Sequence, residues 1–440
     1  MSYSRYFGLD LHKQFTQVTA LDARGRVIAQ GRLPTTPEAL RQFAQTLSAR
    51  DAICVEATTN AVAVHQLLAQ HAGRAVISNP LQTKAIASAK IKSDKVDALV
   101  LAQLLRTDYL PTVWVPPAPT MQLRAQTSYR AALVRQRTQV KNRIHSLLHR
   151  QPIPLPDLSD LFGKAGRAFL EQVDLPAAER CQLQQELALL DHLVAQIQAA
   201  EVQLAHSTVD TPQLRLLLSL PGFQLSCAVG VLAAIGDITR FAQPGKLVSY
   251  VGLDPLARSS ADHPFGSTRI SKRGRSHARW LLIEAATAAV RVPGPLKAFY
   301  LRLKVKKGHN KAIVATARKL AVIAWHMLTT GEPYRWAPPI QTREKIRHVQ
   351  LLAGAPKQRS GKRKGVPSKG GKQTYRELRR AGYDLAQLAQ AQYEELVAQR
   401  QATAARPSRG PGSAHAKGSA RPALGPATTP PKINARKEKD

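Results

Sequence analysis

Four acidic residues in three separate stretches are the groups in this sequence that could do chemistry. Lys92–Ala98, K-S-D-K-V-D-A, sets Asp94 and Asp97 three residues apart, next to the apolar, helical-looking run Ala98–Arg106. Residues i and i+3 share a helix face, so both carboxylates point the same way, with Ser93 placed as an N-cap. Two like charges on one face repel. Lys92 and Lys95 offset part of that, and a divalent cation offsets more, Mg²⁺ preferring carboxylate oxygens. For this pair alone, a solvated helix start whose acids suit the dipole is the simpler account. Two other acids shift the balance. Asp10 is the single charge in the strand-like Tyr6–Leu11, and Glu56 ends the apolar Ala52–Val55. Lone acids in core strands are expensive unless paired or metal-bound.

The elements that must position these acids follow from alternation and turn residues. Tyr6–Leu11, Phe15–Ala20 and Val27–Gln30 read as a strand meander, turning at H-K-Q and at Asp22–Gly25. A helix from Thr36 or Pro37 to Leu47, the strand Ala52–Val55, the helix Asn60–Gln70, the strand Ala75–Ser78 and a helix from Ser93 come next. This is the element order of a ribonuclease-H-like (RuvC-like) α/β domain, here residues 1–110. In it the first and fourth strands are central neighbours, so Asp10 and Glu56 lie side by side, and the last helix brings Asp94 and Asp97 to them. Four converging carboxylates suit Mg²⁺-assisted phosphoryl transfer.

The chain of 440 residues carries a formal charge of +35, of which residues 353–440 hold +13 and residues 1–352 still +22. A folded body with that excess implies a polyanion as partner, most simply nucleic acid. An anionic membrane is the weaker reading, since no long apolar span stands out. Cys54, Cys181 and Cys227 show no metal-ligand spacing, which points to a reducing compartment, and no signal-peptide apolar region precedes the first strand. The expected location is the cytoplasm.

Pro111–Pro119 reads as a linker. Helices over Thr120–Arg150 and Ala177–His206 predict an all-α antiparallel arm (residues 120–208), as a coiled-coil dimer seam or an ordinary bundle with a basic face. A small helical domain (212–336) opens with L-P-G at Leu220–Gly222, a turn like that of a helix–hairpin–helix element, and closes near Pro333–Trp336. Within it, Ser271 is expected to cap a helix preceded and opened by Arg269, Lys272, Arg273, Arg275 and Arg279. Cations there oppose the dipole, and a bound anion would repair that. Ser259 and Ser260 fall just upstream in a polar loop. From about Ala353 the composition turns basic and Gly-rich. It reads as a disordered tail (353–440) adding salt-dependent affinity, with one helix allowed over Tyr375–Gln399.

From Tyr6 to Trp336 the chain resembles the DEDD transposases of the IS one-ten type, described as bridge-RNA-guided recombinases of insertion sequences. The resemblance rests on G-L-D-L-H-K around Asp10, V-E-A-T around Glu56, K-S-D-K-V-D-A, L-P-G, and Y-V-G-L-D-P followed by R-S-S, R-I-S-K-R-G and L-L-I-E-A-A. It implies that Asp10, Glu56, Asp94 and Asp97 bind Mg²⁺ and that a serine attacks DNA to form a covalent phosphoserine link. The family's serine lies five residues after the proline of G-L-x-P, which counts from Pro255 to Ser260, with Ser259 as runner-up. Ala261 stands where the family usually has glycine, and Thr59 also replaces one. The resemblance further implies a tetramer, a dimer of dimers, around an element-encoded bridge RNA and two DNAs, donor and target. Strand exchange through a covalent link needs no ATP, in keeping with a sequence free of a phosphate-binding G-x-x-x-x-G-K-[ST] loop.

Two other readings use the same residues. A metal-dependent nuclease or Holliday-junction resolvase would use water as nucleophile and leave Ser260 dispensable. A nucleic-acid-binding protein without chemistry would keep the acids as structural groups.

Overall fold

The computed structural model describes residues 3–86, 93–151, 153–256, 258–260, 263–265, 269–357 and 369–405. Strands β1 (Arg5–Leu11), β2 (Phe15–Asp22) and β3 (Val27–Pro34) form the expected antiparallel meander. Then α1 (Pro37–Gln45), β4 (Asp51–Val55), α2 (Ala61–Leu68) and β5 (Arg74–Ser78) alternate. Helices α3 (Pro80–Ile86) and α4 (Asp94–Arg106) follow, and β6 (Thr112–Val113) completes one six-stranded sheet in the order β3-β2-β1-β4-β5-β6. β1 and β4 are parallel neighbours, as the element order predicts.

Alternation along β1 sorts the two faces. Phe7, Leu9 and Leu11 join the core beneath α1 and α2, while Tyr6 joins the core beneath α4 with Leu101, Ala102 and Leu105. Gly8 and Asp10 share the α4 face. Thr36 caps α1 by accepting from the Ala39 amide, with Pro37 at the first helical position. β1 and β4 are also tied at their starts: Arg5 donates to both oxygens of the fully buried Asp51 carboxylate, at 2.8 and 2.6 Å, and the Ser48 amide donates to the same group at 2.7 Å. Burial alone would raise the Asp51 pKa, but these bonds to Arg5 and Ser48 bring it below the ordinary carboxylate value. Asp51→Asn is expected to cost about 2 kcal/mol near neutral pH, because it leaves part of a buried charge pair unmet. A lowered folded-state pKa places this contribution above the unfolded carboxylate value and removes it as pH falls through the folded one. The wild-type and variant urea midpoints are therefore expected to converge on acidification.

Pro111–Pro119 is not a free linker. Thr112 and Val113 pair with Ser78 and Ile77 at the sheet edge, where prolines on either side do no harm. Trp114 then packs beneath the guanidiniums of Arg240 (3.9 Å) and Arg124 (5.2 Å).

The arm is a pair of long antiparallel helices, α5 (Ala118–Arg150) and α7 (Ala177–Thr208), with α6 (Lys164–Gln172) between them in sequence. Ile144, Leu147 and Leu148 of α5 share one core with Leu183, Leu190 and Ile197 of α7. Arg130–Glu201 and Arg143–Glu186 pair across the two helices.

A fourth core gathers α8 (Pro212–Leu218), α9 (Leu225–Ile235), α10 (Pro244–Tyr250), α11 (Ser276–Ala289), α12 (Pro295–Lys307) and α13 (His309–Thr330). Between α10 and α11 lies the hairpin β7 (Arg258–Ser260) and β8 (His263–Phe265). α13 is long and apolar enough to cross a membrane by length and composition, and here it packs against α10, α11 and α12. The core does not close at Trp336. α14 (Pro339–Leu352) adds Val349 to it, and Lys345 reaches inward to donate to the Leu218 and Leu220 carbonyls at 2.9 and 2.7 Å. Those bonds fasten the L-P-G turn from within the protein.

The expectation of disorder from residue 353 is corrected over 369–405. α15 (Lys369–Ala405) docks along α12, burying Ala386 and Ala389, and Gln390 accepts from the Gly294 amide. Gly382, Ala386 and Ala389, at i, i+4 and i+7, make a narrow buried strip of small residues, while larger apolar side chains such as Leu378 and Leu388 stay exposed, so composition does not mark the docking face. Residues 358–368 and 406–440 lie outside the described residues.

Candidate functional site

Asp10 sits near the end of β1 with 4% of its surface exposed, paired in register with Gln17 of β2. The next element to reach it is α4, and the route is opened by Gly8. A Cβ on Gly8 would lie 2.0 Å from the Ala98 carbonyl and 2.7 Å from the Ala102 amide, so the helix axis crosses the sheet where β1 has no side chain. That crossing puts the N-terminus of α4 beside Asp10. Ser93 is the N-cap, as expected, its hydroxyl accepting from the Val96 amide at 3.4 Å. Asp94 and Asp97 occupy the first turn, where the helix dipole favours carboxylates. Lys92 lies outside the described residues.

Asp10 and Asp94 meet through His12. The imidazole Nε2 lies 3.1 Å from Asp10 Oδ2 and 3.5 Å from Asp94 Oδ1. The three side chains offer donor atoms all within 4.8 Å of one another, a grouping that could hold a metal ion. His12 stacks on Phe15 (4.6 Å), and Arg32 lies over the same ring (4.4 Å) while pairing with Asp94 Oδ2 at 3.0 Å. Arg32 is itself aimed by Gln17, which accepts from its Nε at 3.1 Å.

The other two expected acids stand at the margin of this group. Glu56 follows β4, half-buried, and its amide donates to the Leu9 carbonyl at 2.9 Å, which sets it alongside Asp10. Asp97 is exposed, one turn along α4. Neither belongs to the Asp10–His12–Asp94 grouping. His12, by contrast, has no part in the sequence reading, which places it in a turn. Its signal was available: two residues after Asp10, it falls on the same face of an extended strand.

The second expected site lies in the stretch between α10 and α11. Ser259 and Ser260 do not form an irregular loop: they are strand residues of the β7–β8 hairpin, in register with Pro264 and His263. Ala261 lies outside the described residues. Among the described residues neither β1, β4 nor α4 packs extensively on the hairpin.

Ser271 does not cap the following helix. Its hydroxyl donates to Asp254 Oδ1 at 2.5 Å and its amide to the Asp254 carbonyl at 2.9 Å, so it fastens the loop instead, and α11 begins five residues later at Ser276. Gly274, at φ +94°, lets this loop lie on the Tyr250 carbonyl, which a Cβ would meet at 2.1 Å. The expected basic cluster therefore spans loop and helix. Lys272, Arg273 and Arg275 are exposed before α11, Arg275 donating to the Tyr250 hydroxyl at 3.1 Å. Arg279, on the first turn of α11, donates to the Val251 carbonyl at 3.1 Å, and Arg269 is exposed just ahead of the loop. Burial would raise the Tyr250 pKa, but Arg275, Arg124 and Arg240 around its ring lower it instead. Three cations about one phenol make this face of the helical domain strongly positive.

Comparison with known proteins matches residues 7–151, which carry the acidic sheet, to a family model of DEDD-type IS110 transposases described as a transposase. Residues 214–301, which carry the hairpin and basic loop, match one described as the transposase IS116/IS110/IS902 family. The transposase for insertion sequence element IS1111A of Coxiella burnetii is 26% identical over 356 residues, covering 75% of this chain and 91% of the relative. The insertion element IS116 uncharacterized 44.8 kDa protein of Streptomyces clavuligerus is 24% identical over 395 residues, covering 76% and 97%. Putative transposase y4rJ of Sinorhizobium fredii is 31% identical over 278 residues, covering 55% and 67%.

Proposed function

The chain belongs to the IS110 family of insertion-sequence transposases, and from that premise we propose that it cuts and exchanges DNA strands with Mg²⁺ held by Asp10, Glu56, Asp94 and Asp97 and with Ser260 as nucleophile. The observation that carries the metal reading is the buried Asp10 carboxylate brought within ligand distance of Asp94 from a different element. The donor chemistry fits: Asp10 and Asp94 offer hard oxygens, as Mg²⁺ prefers. His12 is a poorer Mg²⁺ ligand and suits the role of holding the two carboxylates in place. Glu56, whose amide bonds the Leu9 carbonyl, and Asp97, three residues after Asp94 on α4, are the acids proposed to complete the set. Bound there, the ion would polarise the scissile phosphate and stabilise charge on the attacking and departing oxygens.

Ser260 Oγ then bonds to phosphorus as the bond to the departing sugar oxygen breaks, and the serine proton ends on that oxygen. Attack by another strand's hydroxyl reverses the step and releases the serine. The phosphodiester energy stays in the phosphoserine link throughout. Neither β1, β4 nor α4 packs extensively on the serine hairpin among the described residues, which supports an assembly where the acidic site of one subunit is completed by the serine domain of another, a dimer of dimers. Arg269, Lys272, Arg273, Arg275 and Arg279 bind nucleic-acid backbone in this reading. The charge of +35 supports partners beyond one DNA, with an element-encoded bridge RNA guiding donor and target.

The test is incubation of the full chain with Mg²⁺, RNA transcribed from the element's flank, and labelled target DNA. A protein–DNA adduct is expected that survives denaturation, that Ser260→Ala abolishes and that Ser259→Ala spares. Cleavage without any adduct, unchanged in Ser260→Ala, would instead favour a nuclease using water.

A further inference from the structure

A cleft of about 560 Å³ opens between the middle of α5 and the start of α11, lined by neither the acids nor the serine hairpin. Val134, Arg135, Thr138 and Gln139 form one wall, and His277 and Trp280 the other. Its volume falls in the usual range for small-ligand sites, about 300–1,000 Å³. Trp280 is the feature that needs an explanation: 44% of its surface is exposed. The indole is almost parallel to the His277 ring, at 16° and 6.0 Å between centroids. Burial, reinforced by Arg135 and Arg130, lowers the His277 pKa, so at neutral pH the indole is stacked with an uncharged imidazole. Arg135 has no acidic partner among the described residues. The cleft therefore offers an aromatic face, a cation and neutral hydrogen-bonding side chains together.

We propose that this cleft holds one unpaired nucleotide of a single-stranded nucleic acid, its base stacked on Trp280 and its phosphate on Arg135. Thr138, Gln139 and Ser276 lie within the same walls and can bond the base edge or the sugar. An indole recessed between two helices can take only a base face that is free of its own neighbours, which a duplex does not present. An arginine beside the ring suits the phosphate that follows such a base.

The proposal rests on the chain being a nucleic-acid enzyme but not on its metal site, so the two can fail separately. The full chain is titrated into three labelled probes: a single-stranded RNA, a single-stranded DNA of the same sequence, and the DNA duplex. Trp280→Ala is expected to weaken binding of at least one single strand about 5- to 100-fold, with duplex affinity unchanged. Trp280→Phe is expected to restore most of the loss, and Arg135→Gln to weaken the same probe and lower its salt dependence. The probe that loses more identifies the sugar. Equal losses on all probes, no loss on either single strand, or an altered oligomeric state with binding intact would overturn the cleft as a nucleotide site. Asp10→Asn run in parallel separates the readings: it should bind all three probes as wild type does, whatever happens to cleavage.

Discussion

Asp10→Asn in the full chain is expected to lower Mg²⁺-dependent strand cleavage about 10³-fold, with DNA binding retained. The substitution keeps the size and hydrogen-bonding shape of the side chain, so the β1–β2 ladder should be unaffected, and the change falls on charge alone. Asp10 carries the largest effect among the acids because it is buried in the sheet, with Gln17 opposite and His12 beside it. A neutral amide there leaves His12 and the head of α4 without their buried anion, and a cation with one hard ligand fewer. Asp94→Asn is expected to act in the same direction, with the further effect of releasing Arg32. Retained binding separates this outcome from a folding defect. A cleavage rate within about 5-fold of wild type would mean that Asp10 serves the sheet and not the reaction.

Gly8→Ala is expected to cost about 3 kcal/mol of stability and to abolish activity together with it. The added methyl meets backbone, the Ala98 carbonyl at 2.0 Å, and backbone cannot rotate aside as a flexible side chain can. Relief requires α4 to lift from β1, which separates Asp94 from Asp10. Gly31→Ala on β3 is the matched control, since nothing lies within 4 Å of a Cβ there, and its urea midpoint is expected to stay within about 0.5 kcal/mol of wild type. If Gly8→Ala unfolds at the wild-type midpoint, the close crossing of α4 over β1 is not what holds the acids together.

The parts of this fold that are legible in the sequence are those fixed by local rules. Strand alternation in Tyr6–Leu11 and the strand–helix order behind it were enough to seat β1 beside β4 and Asp10 beside Glu56. Ser93 reads as a cap because the hydroxyl needs only the amide three residues on. Contacts set by distant partners were not legible. Ser271 has the residue type of a cap, and its hydroxyl goes to Asp254 because the loop folds back across Tyr250. Pro111–Pro119 has the composition of a linker, yet Val113 finds the edge of β5 and Trp114 finds Arg240. α15 docks through small residues, Gly382, Ala386 and Ala389, whose role depends on which helices lie opposite. His12 is an intermediate case. Its spacing from Asp10 was readable, but its position between two carboxylates depends on where α4 crosses the sheet, and Gly8 decides that.

The metal site behind the Asp10 result is read most directly by Mn²⁺ binding, followed by electron paramagnetic resonance on the full chain without nucleic acid. Wild type should bind the ion with a spectrum distinct from hydrated Mn²⁺, Mg²⁺ should displace it, and Asp10→Asn should lose it. Equal Mn²⁺ binding by wild type and Asp10→Asn, or none by either, would contradict a cation seated between β1 and the head of α4.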